Sequence, residues 1–152
     1  MLRIISFRKG APMSLERFCR KEVATVQAND TVVGAARKMQ EKHVGAVVVV
    51  DRAGRPVGML TDRDIACRVI ALALDPERTQ VDSAMSRDLV TVRRDGTIDE
   101  VAFSMRKQGV RRVPIVDAEG KLAGLVAFDD LVVLLSAELG ETVAALRHNR
   151  GP

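Results

Sequence analysis

Hydrophobic positions along the chain follow two alternating patterns. Runs of consecutive apolar residues, such as Ala46–Val50, are typical of strands that are covered on both faces. Elsewhere apolar residues recur at three- and four-residue spacing, as at Ala35, Ala36 and Met39, which indicates the buried face of a helix. The pattern therefore predicts short strands that alternate with amphipathic helices.

This pattern occurs twice. When the sequence is shifted by 66 residues, residues 25–70 fall on residues 91–136 without a gap. The identical residues include Thr25/Thr91, Val26/Val92, Thr31/Thr97, Ala36/Ala102, Met39/Met105, Val44/Val110, Val47/Val113, Val50/Val116, Asp51/Asp117, Gly54/Gly120, Gly58/Gly124 and Asp64/Asp130. Because one copy alone has little interior, we expect the two copies to fold as one unit with approximate twofold symmetry.

The residue pattern in each copy predicts secondary-structure elements in the order β-α-β-β-α. Thr97 and Glu100 have the spacing of a capping box at a helix start. The predicted fold class is α/β (α+β), with two tandem repeats related by pseudo-twofold symmetry, packed sheet to sheet with helices outside. The predicted segments are a flexible N-terminal extension (1–13), repeat 1 (14–74), a linker and lead-in (75–88), repeat 2 (89–136) and a C-terminal helix and tail (137–152).

Composition narrows the function classes. The chain has 152 residues, of which 47% are hydrophobic and 29% charged, as in a globular protein with a real core. Aromatic residues make up only 3%, which argues against a site that stacks nucleic-acid bases, and the net charge of +4 is small and dispersed. The apolar runs are too short to span a bilayer, so no membrane association is expected.

Candidate catalytic and metal-ligating residues are few in this sequence. The two cysteines, Cys19 and Cys67, form no C-x-x-C pair, which predicts neither a zinc site nor a disulfide framework and favours a reducing cytoplasm. The two histidines lie outside any catalytic motif, and no nucleophile–base set is present. We therefore expect no catalytic residues, no metal ligands, no catalytic cofactor and no enzymatic activity.

Three segments resemble one known family. They are the residues from Gly58 to Asp64 (GMLTDRD), from Val81 to Ser86 (VDSAMS) and from Val110 to Asp117 (VRRVPIVD). Together with the doubled β-α-β-β-α unit they resemble a CBS-domain pair, or Bateman module, over roughly residues 18–136. What remains is too short for a catalytic or DNA-binding domain, so the chain resembles a stand-alone pair, and such pairs bind adenine nucleotides.

The resemblance implies two ligand sites, each shared between the repeats. In the first, Thr61 would place a hydroxyl and free backbone N–H groups toward phosphate, and Asp64 would accept hydrogen bonds from the ribose hydroxyls. The implied residues of the first site are Thr61, Asp64, Leu89, Val90, Val110, Arg111 and Arg112. Those of the second, weaker site are Asp130, Ala24, Thr25, Val44 and Gly45. The second site departs from the motif because Ala127 stands where a hydroxyl residue is expected.

Other interpretations stay open. Thr61 and Asp64 also form an ordinary helix-capping pair. The leading hypothesis is a regulatory sensor that binds AMP, ADP or ATP, with NAD and S-adenosylmethionine as further candidates, and that forms a homodimer with an unknown downstream protein partner. The alternatives are a ligand-free interaction scaffold and, less favoured, a nucleic-acid-binding protein that uses its arginines.

Overall fold

The computed structural model describes residue 15 and residues 18–148, without the side chains of residues 134, 138 and 141–148. The expectations for residues 1–13 and for the tail beyond residue 148 lie outside the described residues. The strands are β1 (Thr25–Val26), β2 (Ala46–Val50), β3 (Pro56–Thr61), β4 (Val92–Arg93), β5 (Arg112–Val116) and β6 (Leu122–Ala127). The helices are α1 (Val32–Lys42), α2 (Asp62–Ile65), α3 (Val81–Ala84), α4 (Ile98–Gln108) and α5 (Phe128–His148), and a π-helical turn (Ala66–Ile70) continues α2.

Each repeat forms a three-stranded sheet with the same topology. β1 pairs in parallel with β2, and β2 pairs antiparallel with β3; β4, β5 and β6 repeat this order. Both sheets have a register irregularity near the end of the middle strand, between Val49 and Val50 and between Ile115 and Val116. The internal repeat therefore extends to the details of strand pairing, and the predicted fold class is confirmed.

The long helices α1 and α4 begin at equivalent threonines. The side chain of Thr31 accepts a hydrogen bond from the backbone N–H of Gly34. Thr97 and Glu100 form the predicted capping box, with each side chain accepting from the other residue's backbone N–H. These bonds satisfy N–H groups that a helix start otherwise leaves without partners.

The segments that precede the two sheets are exchanged between the repeats. Residues 18–24 (the first lead-in) join β6 through the Arg20–Leu125 bridge, whereas residues 84–90 (the second lead-in) join β3 through the Met59–Ser86 bridge. Phe18 accordingly packs in the core of the second repeat. The exchange ties each sheet to the chain segment that opens the other repeat.

Two glycines allow this close approach. A Cβ at Gly58 would lie 2.6 Å from Sδ of Met85, and a Cβ at Gly124 would overlap Sγ of Cys19. Each position would also lie 3.0 Å from a lead-in carbonyl oxygen, that of Ser86 or Arg20. Glycine at both positions therefore makes the bridges sterically feasible.

A third apolar cluster joins the two sheets. Ala46, Val48 and Met59 of the first sheet pack with Leu122 and Leu125 of the second. The backbone N–H of Leu122 also donates to the carbonyl of Gly54 across the repeats, at 2.9 Å. This packing agrees with the predicted contact of sheet against sheet.

The last described helix, α5, is continuous from Phe128 to His148, so the boundary predicted between residues 136 and 137 falls inside a helix. Several of its apolar side chains are exposed, including Phe128, Val132, Val133, Leu135 and Leu139. Within the described part of the chain, no helix combines the length and apolar character that crossing a bilayer requires.

Candidate functional site

A cleft of about 210 Å³ lies between the repeats and contains every residue predicted for the first site. We call it the first cleft. Its lining is Met59, Thr61, Asp64, Ser86, Asp88, Leu89, Val90, Val110, Arg111 and Arg112. These residues come from β3, α2, the second lead-in and the segment that enters β5, and the pairing of the lead-in with β3 brings the first three together.

Thr61 and Asp64 form a complete capping box at the start of α2. The Asp64 N–H donates to Oγ1 of Thr61 at 3.1 Å, and Oδ2 of Asp64 accepts from the Thr61 N–H at 2.9 Å and from its hydroxyl at 2.7 Å. The interpretation of Thr61 and Asp64 as a helix-capping pair is thus confirmed. A carboxylate has about four acceptor positions, of which Thr61 uses two and Arg68, beside Oδ1, a third.

Arg68 holds Asp64 and the lead-in together. Its Nη2 lies 3.2 Å from Oδ1 of Asp64 and donates to Oγ of Ser86 at 3.1 Å, while Nη1 donates to the carbonyl of Ala84 at 2.7 Å. Arg68 is not among the lining residues of the first cleft. It therefore orients Asp64 and Ser86 from beside the cleft.

The first cleft carries both signs of charge. Asp64 and Asp88 contribute carboxylates, whereas Arg111 and Arg112 contribute guanidinium groups. Arg111 donates to Oδ1 of Asp129 at 2.7 Å, and both side chains are about 70% exposed. A pair this exposed is weak, so Arg111 can exchange Asp129 for another anion at little cost.

At the second predicted site, both carboxylate oxygens of Asp130 are bonded to one arginine. Nε and Nη2 of Arg20 donate to Oδ2 and Oδ1 of Asp130 at 2.8 and 2.6 Å, so both carboxylate oxygens are engaged by one guanidinium. This bond raises the pKa of Arg20 further above its ordinary value, with the charge of Asp130 as the second cause. We call this arrangement the second site.

The other residues predicted for the second site have different surroundings. Ala24 and Val44 pack against the core of the first repeat, and the carbonyl of Thr25 accepts from Nζ of Lys38 at 2.7 Å. Gly45 lies beside Asp62 and near Nη2 of Arg112. Within residues 18–148, no hydrogen bond or ion pair joins Asp130 to any of these residues.

Comparison with known proteins identifies the fold family. The sequence model of the CBS domain matches residues 15–70 and again residues 81–137. The chain belongs to the CBS-domain family. The two matches are the tandem repeats of a CBS pair, as the sequence motifs suggested, and such pairs are regulatory modules.

Individual relatives extend this comparison. The chain is 42% identical over 112 residues to the CBS domain-containing protein YhcV of Bacillus subtilis, covering 74% of this chain and 78% of the relative. It is 34% identical over 120 residues to the uncharacterized protein MK0525 of Methanopyrus kandleri, covering 79% of this chain but only 61% of the relative.

A solved CBS pair shows what one neighbour binds. The CBS-domain pair of protein MJ0100, in complex with 5′-methylthioadenosine and S-adenosyl-L-methionine, matches with a TM-score of 0.73 and 26% identity, covering 84% of this chain and 99% of that structure. Both of those ligands contain adenosine.

Three lining residues of the first cleft were absent from the sequence prediction: Met59, Ser86 and Asp88. Met59 could have been inferred from β3, because it lies two residues before Thr61 and therefore on the same face of the strand. Ser86 and Asp88 become neighbours of Thr61 only through the Met59–Ser86 bridge. Their position depends on long-range pairing.

A separate cavity of about 250 Å³ is lined by Leu15, Cys19, Lys21, Arg94, Ile115 and Ala123, none of which was predicted for a ligand site. Burial raises the pKa of the Cys19 thiol above its ordinary value, which disfavours the thiolate. In the described part of the chain, no group of three His, Cys, Asp or Glu side chains is arranged to hold a metal ion.

Proposed function

We propose that this CBS pair is a sensor that binds an adenosine-containing ligand in the first cleft and thereby shifts a conformational or assembly equilibrium. The observation that carries the proposal is the convergence of the motif residues Thr61 and Asp64 with Leu89, Val90 and Val110 around one cleft. A ligand can shift such an equilibrium only through its differential affinity for the two states.

The chemistry of the lining supports a nucleoside. Asp64 offers acceptor oxygens to the vicinal ribose hydroxyls, and charge-assisted bonds of this kind contribute about 1.5–3 kcal/mol. Leu89, Val90 and Val110 offer half-buried aliphatic surface to the base. A cleft of about 210 Å³ is smaller than the ~300–1,000 Å³ of typical ligand pockets, which suits the nucleoside part of a ligand.

The rim of the cleft favours ligands that carry phosphate. Arg111 and Arg112 supply two guanidinium groups that can donate to phosphate oxygens. AMP, ADP and ATP are therefore the preferred candidates. The adenosine ligands of the MJ0100 pair make S-adenosylmethionine and methylthioadenosine the next candidates, followed by NAD.

A melting and calorimetry panel tests this proposal. AMP, ADP, ATP, NAD, S-adenosylmethionine, methylthioadenosine and an RNA oligomer are each added to the purified protein. An adenosine ligand at 100 times its Kd should raise the free energy of unfolding by about 2.7 kcal/mol. No shift with any nucleotide would favour the ligand-free scaffold, and steeply salt-dependent RNA binding alone would favour nucleic-acid recognition.

We also propose that the chain forms a homodimer through its helices and acts in the cytoplasm. An apolar groove of about 590 Å³ between α4 and α5 supports the dimer, since exposed Phe128, Val132 and Leu135 line it. Analytical ultracentrifugation with and without AMP tests the dimer, and a Val132→Glu variant should shift it toward monomer.

The cytoplasmic location is argued from the unpaired cysteines and is tested by cell fractionation.

A further inference from the structure

Arg20 stands at the place in the second site that Ser86 has in the first cleft. The two residues are equivalent under the 66-residue repeat, and each forms the bridge between a lead-in and the opposite sheet, Arg20 with Leu125 and Ser86 with Met59. Ser86 is a lining residue of the first cleft. The symmetry therefore directs the much longer Arg20 side chain into the region where a second ligand would lie.

The bond that Arg20 makes there matches what a ribose would make. Two vicinal hydroxyls would donate to the two oxygens of Asp130, and Nε and Nη2 of Arg20 already donate to those oxygens at 2.8 and 2.6 Å. The planar guanidinium fits a carboxylate with two parallel bonds. Since the donor is part of the same chain, it competes with any free ligand at a high effective concentration.

The equivalent carboxylate in the first cleft is held differently. Arg68 contacts Asp64 through one oxygen at 3.2 Å, and its other bonds to Ala84 and Ser86 keep it beside the cleft. Oδ2 of Asp64 also accepts a hydrogen bond from the hydroxyl of Thr61. The equivalent residue in the second repeat, Ala127, has no hydroxyl and cannot make this bond. An arginine is thus near both carboxylates. Arg20 alone bonds both oxygens of Asp130, whereas the oxygens of Asp64 are divided between Thr61 and Arg68.

We propose that Arg20 is a built-in occupant of the second site, so that the chain binds one nucleoside, in the first cleft. The inference rests on the proposed function for the identity of the ligand. Arg20 then determines the stoichiometry of the sensor, and Asp130 serves to anchor the first lead-in on the second repeat.

The test compares Ala127→Thr with the double variant Arg20→Ser/Ala127→Thr. Both variants carry the hydroxyl that the second site lacks, and the double variant also carries the serine found at the equivalent position of the first cleft. The backbone bonds between Arg20 and Leu125, at 3.0 and 3.1 Å, do not need the arginine side chain, so the variant should fold. Far-UV circular dichroism and melting check this directly.

Calorimetric titration with AMP, and in parallel with S-adenosylmethionine, measures the number of sites per chain. We expect the double variant to bind one more ligand per chain than Ala127→Thr, and a further Asp130→Asn change to remove the additional site. An equal stoichiometry for the two variants, or two sites already in Ala127→Thr, would overturn the role of Arg20. The wild-type protein reports separately on the proposed function, since absence of any binding there contradicts that function whatever the difference between variants.

Discussion

The two halves of the molecule share their sheet topology and strand register, but their equivalent carboxylates have different partners. Asp64 lines a cleft with Thr61, Leu89 and Val90, and its two oxygens are divided between Thr61 and Arg68. Asp130 gives both oxygens to Arg20. The sheets, the registers and helices α1 and α4 match, whereas the helix that carries the carboxylate is the short α2 with its π-helical turn in one half and the 21-residue α5 in the other.

This comparison shows how a duplicated fold can keep its architecture while its sites diverge. Glycine at positions 58 and 124 serves the same steric need in both halves, because both lead-ins approach a strand closely. Ser86 and Arg20 face no such shared constraint, since each can hold its bridge through the backbone alone. Packing therefore preserves symmetry where backbones touch and allows asymmetry where side chains face a cleft.

The largest effect is expected from removing the charge of Asp64. Asp64→Asn should weaken AMP binding about 10- to 150-fold, because the ribose loses charge-assisted hydrogen bonds of about 1.5–3 kcal/mol. The equivalent Asp130→Asn should leave AMP affinity within about twofold. Calorimetric titration measures both.

Asp62→Asn is the matched control for Asp64→Asn, because Asp62 is an exposed acid on the same helix and does not line the first cleft. Equal losses in Asp62→Asn and Asp64→Asn would show that general charge, rather than the position of Asp64, governs binding. A stronger loss in Asp130→Asn than in Asp64→Asn would reverse the assignment of the two sites.

The next effect concerns the glycines beneath the lead-ins. Gly124→Ala should lower the free energy of unfolding by about 2–3 kcal/mol and Gly58→Ala by about 1–2 kcal/mol, within the range for overpacking. The larger cost falls on Gly124, since its Cβ would overlap the short side chain of Cys19, whereas the flexible end of Met85 can move. Urea unfolding measures both, and a larger cost at Gly58 would contradict this steric argument.

A smaller effect should follow from exchanging the capping residues. Thr61→Ala should destabilise the fold by about 0.5–2 kcal/mol, because the first turn of α2 loses its side-chain acceptor. Ala127→Thr should add up to about 1 kcal/mol by supplying a cap to α5. Thermal unfolding under identical conditions checks the pair. A stabilising Thr61→Ala would mean that the hydroxyl is strained in the absence of ligand.

The smallest effect is expected at the rim of the first cleft. Arg111→Ala should weaken ATP binding about two- to fivefold and leave adenosine binding unchanged, because Arg111 is exposed and interacts with phosphate in competition with solvent. Asp129→Asn should act in the opposite direction by releasing Arg111 from its partner. Competition titrations at two salt concentrations check this, and equal losses for ATP and adenosine would assign Arg111 a structural role.

The order of strands and helices along the chain and the start of α4 were predictable from the local residue pattern. The spacing of Thr97 and Glu100 alone predicts their capping box, and the run of valines in β2 predicts a buried strand. The grouping of Thr61 and Asp64 with Val110 was also anticipated, but through resemblance to CBS pairs and not through any local signal. Asp88 in the cleft and Arg20 on Asp130 were not anticipated.

The sequence by itself determined the duplication, the strand and helix pattern within each copy and the glycines at the crossing points, because burial and backbone geometry select residues one position at a time. Only the tertiary structure decided which lead-in pairs with which sheet, and so which side chain meets which carboxylate. Arg20 and Asp130 are separated by 110 positions in the chain. Their contact follows from the exchange of the lead-ins, which is a long-range packing arrangement that local residue propensities do not predict.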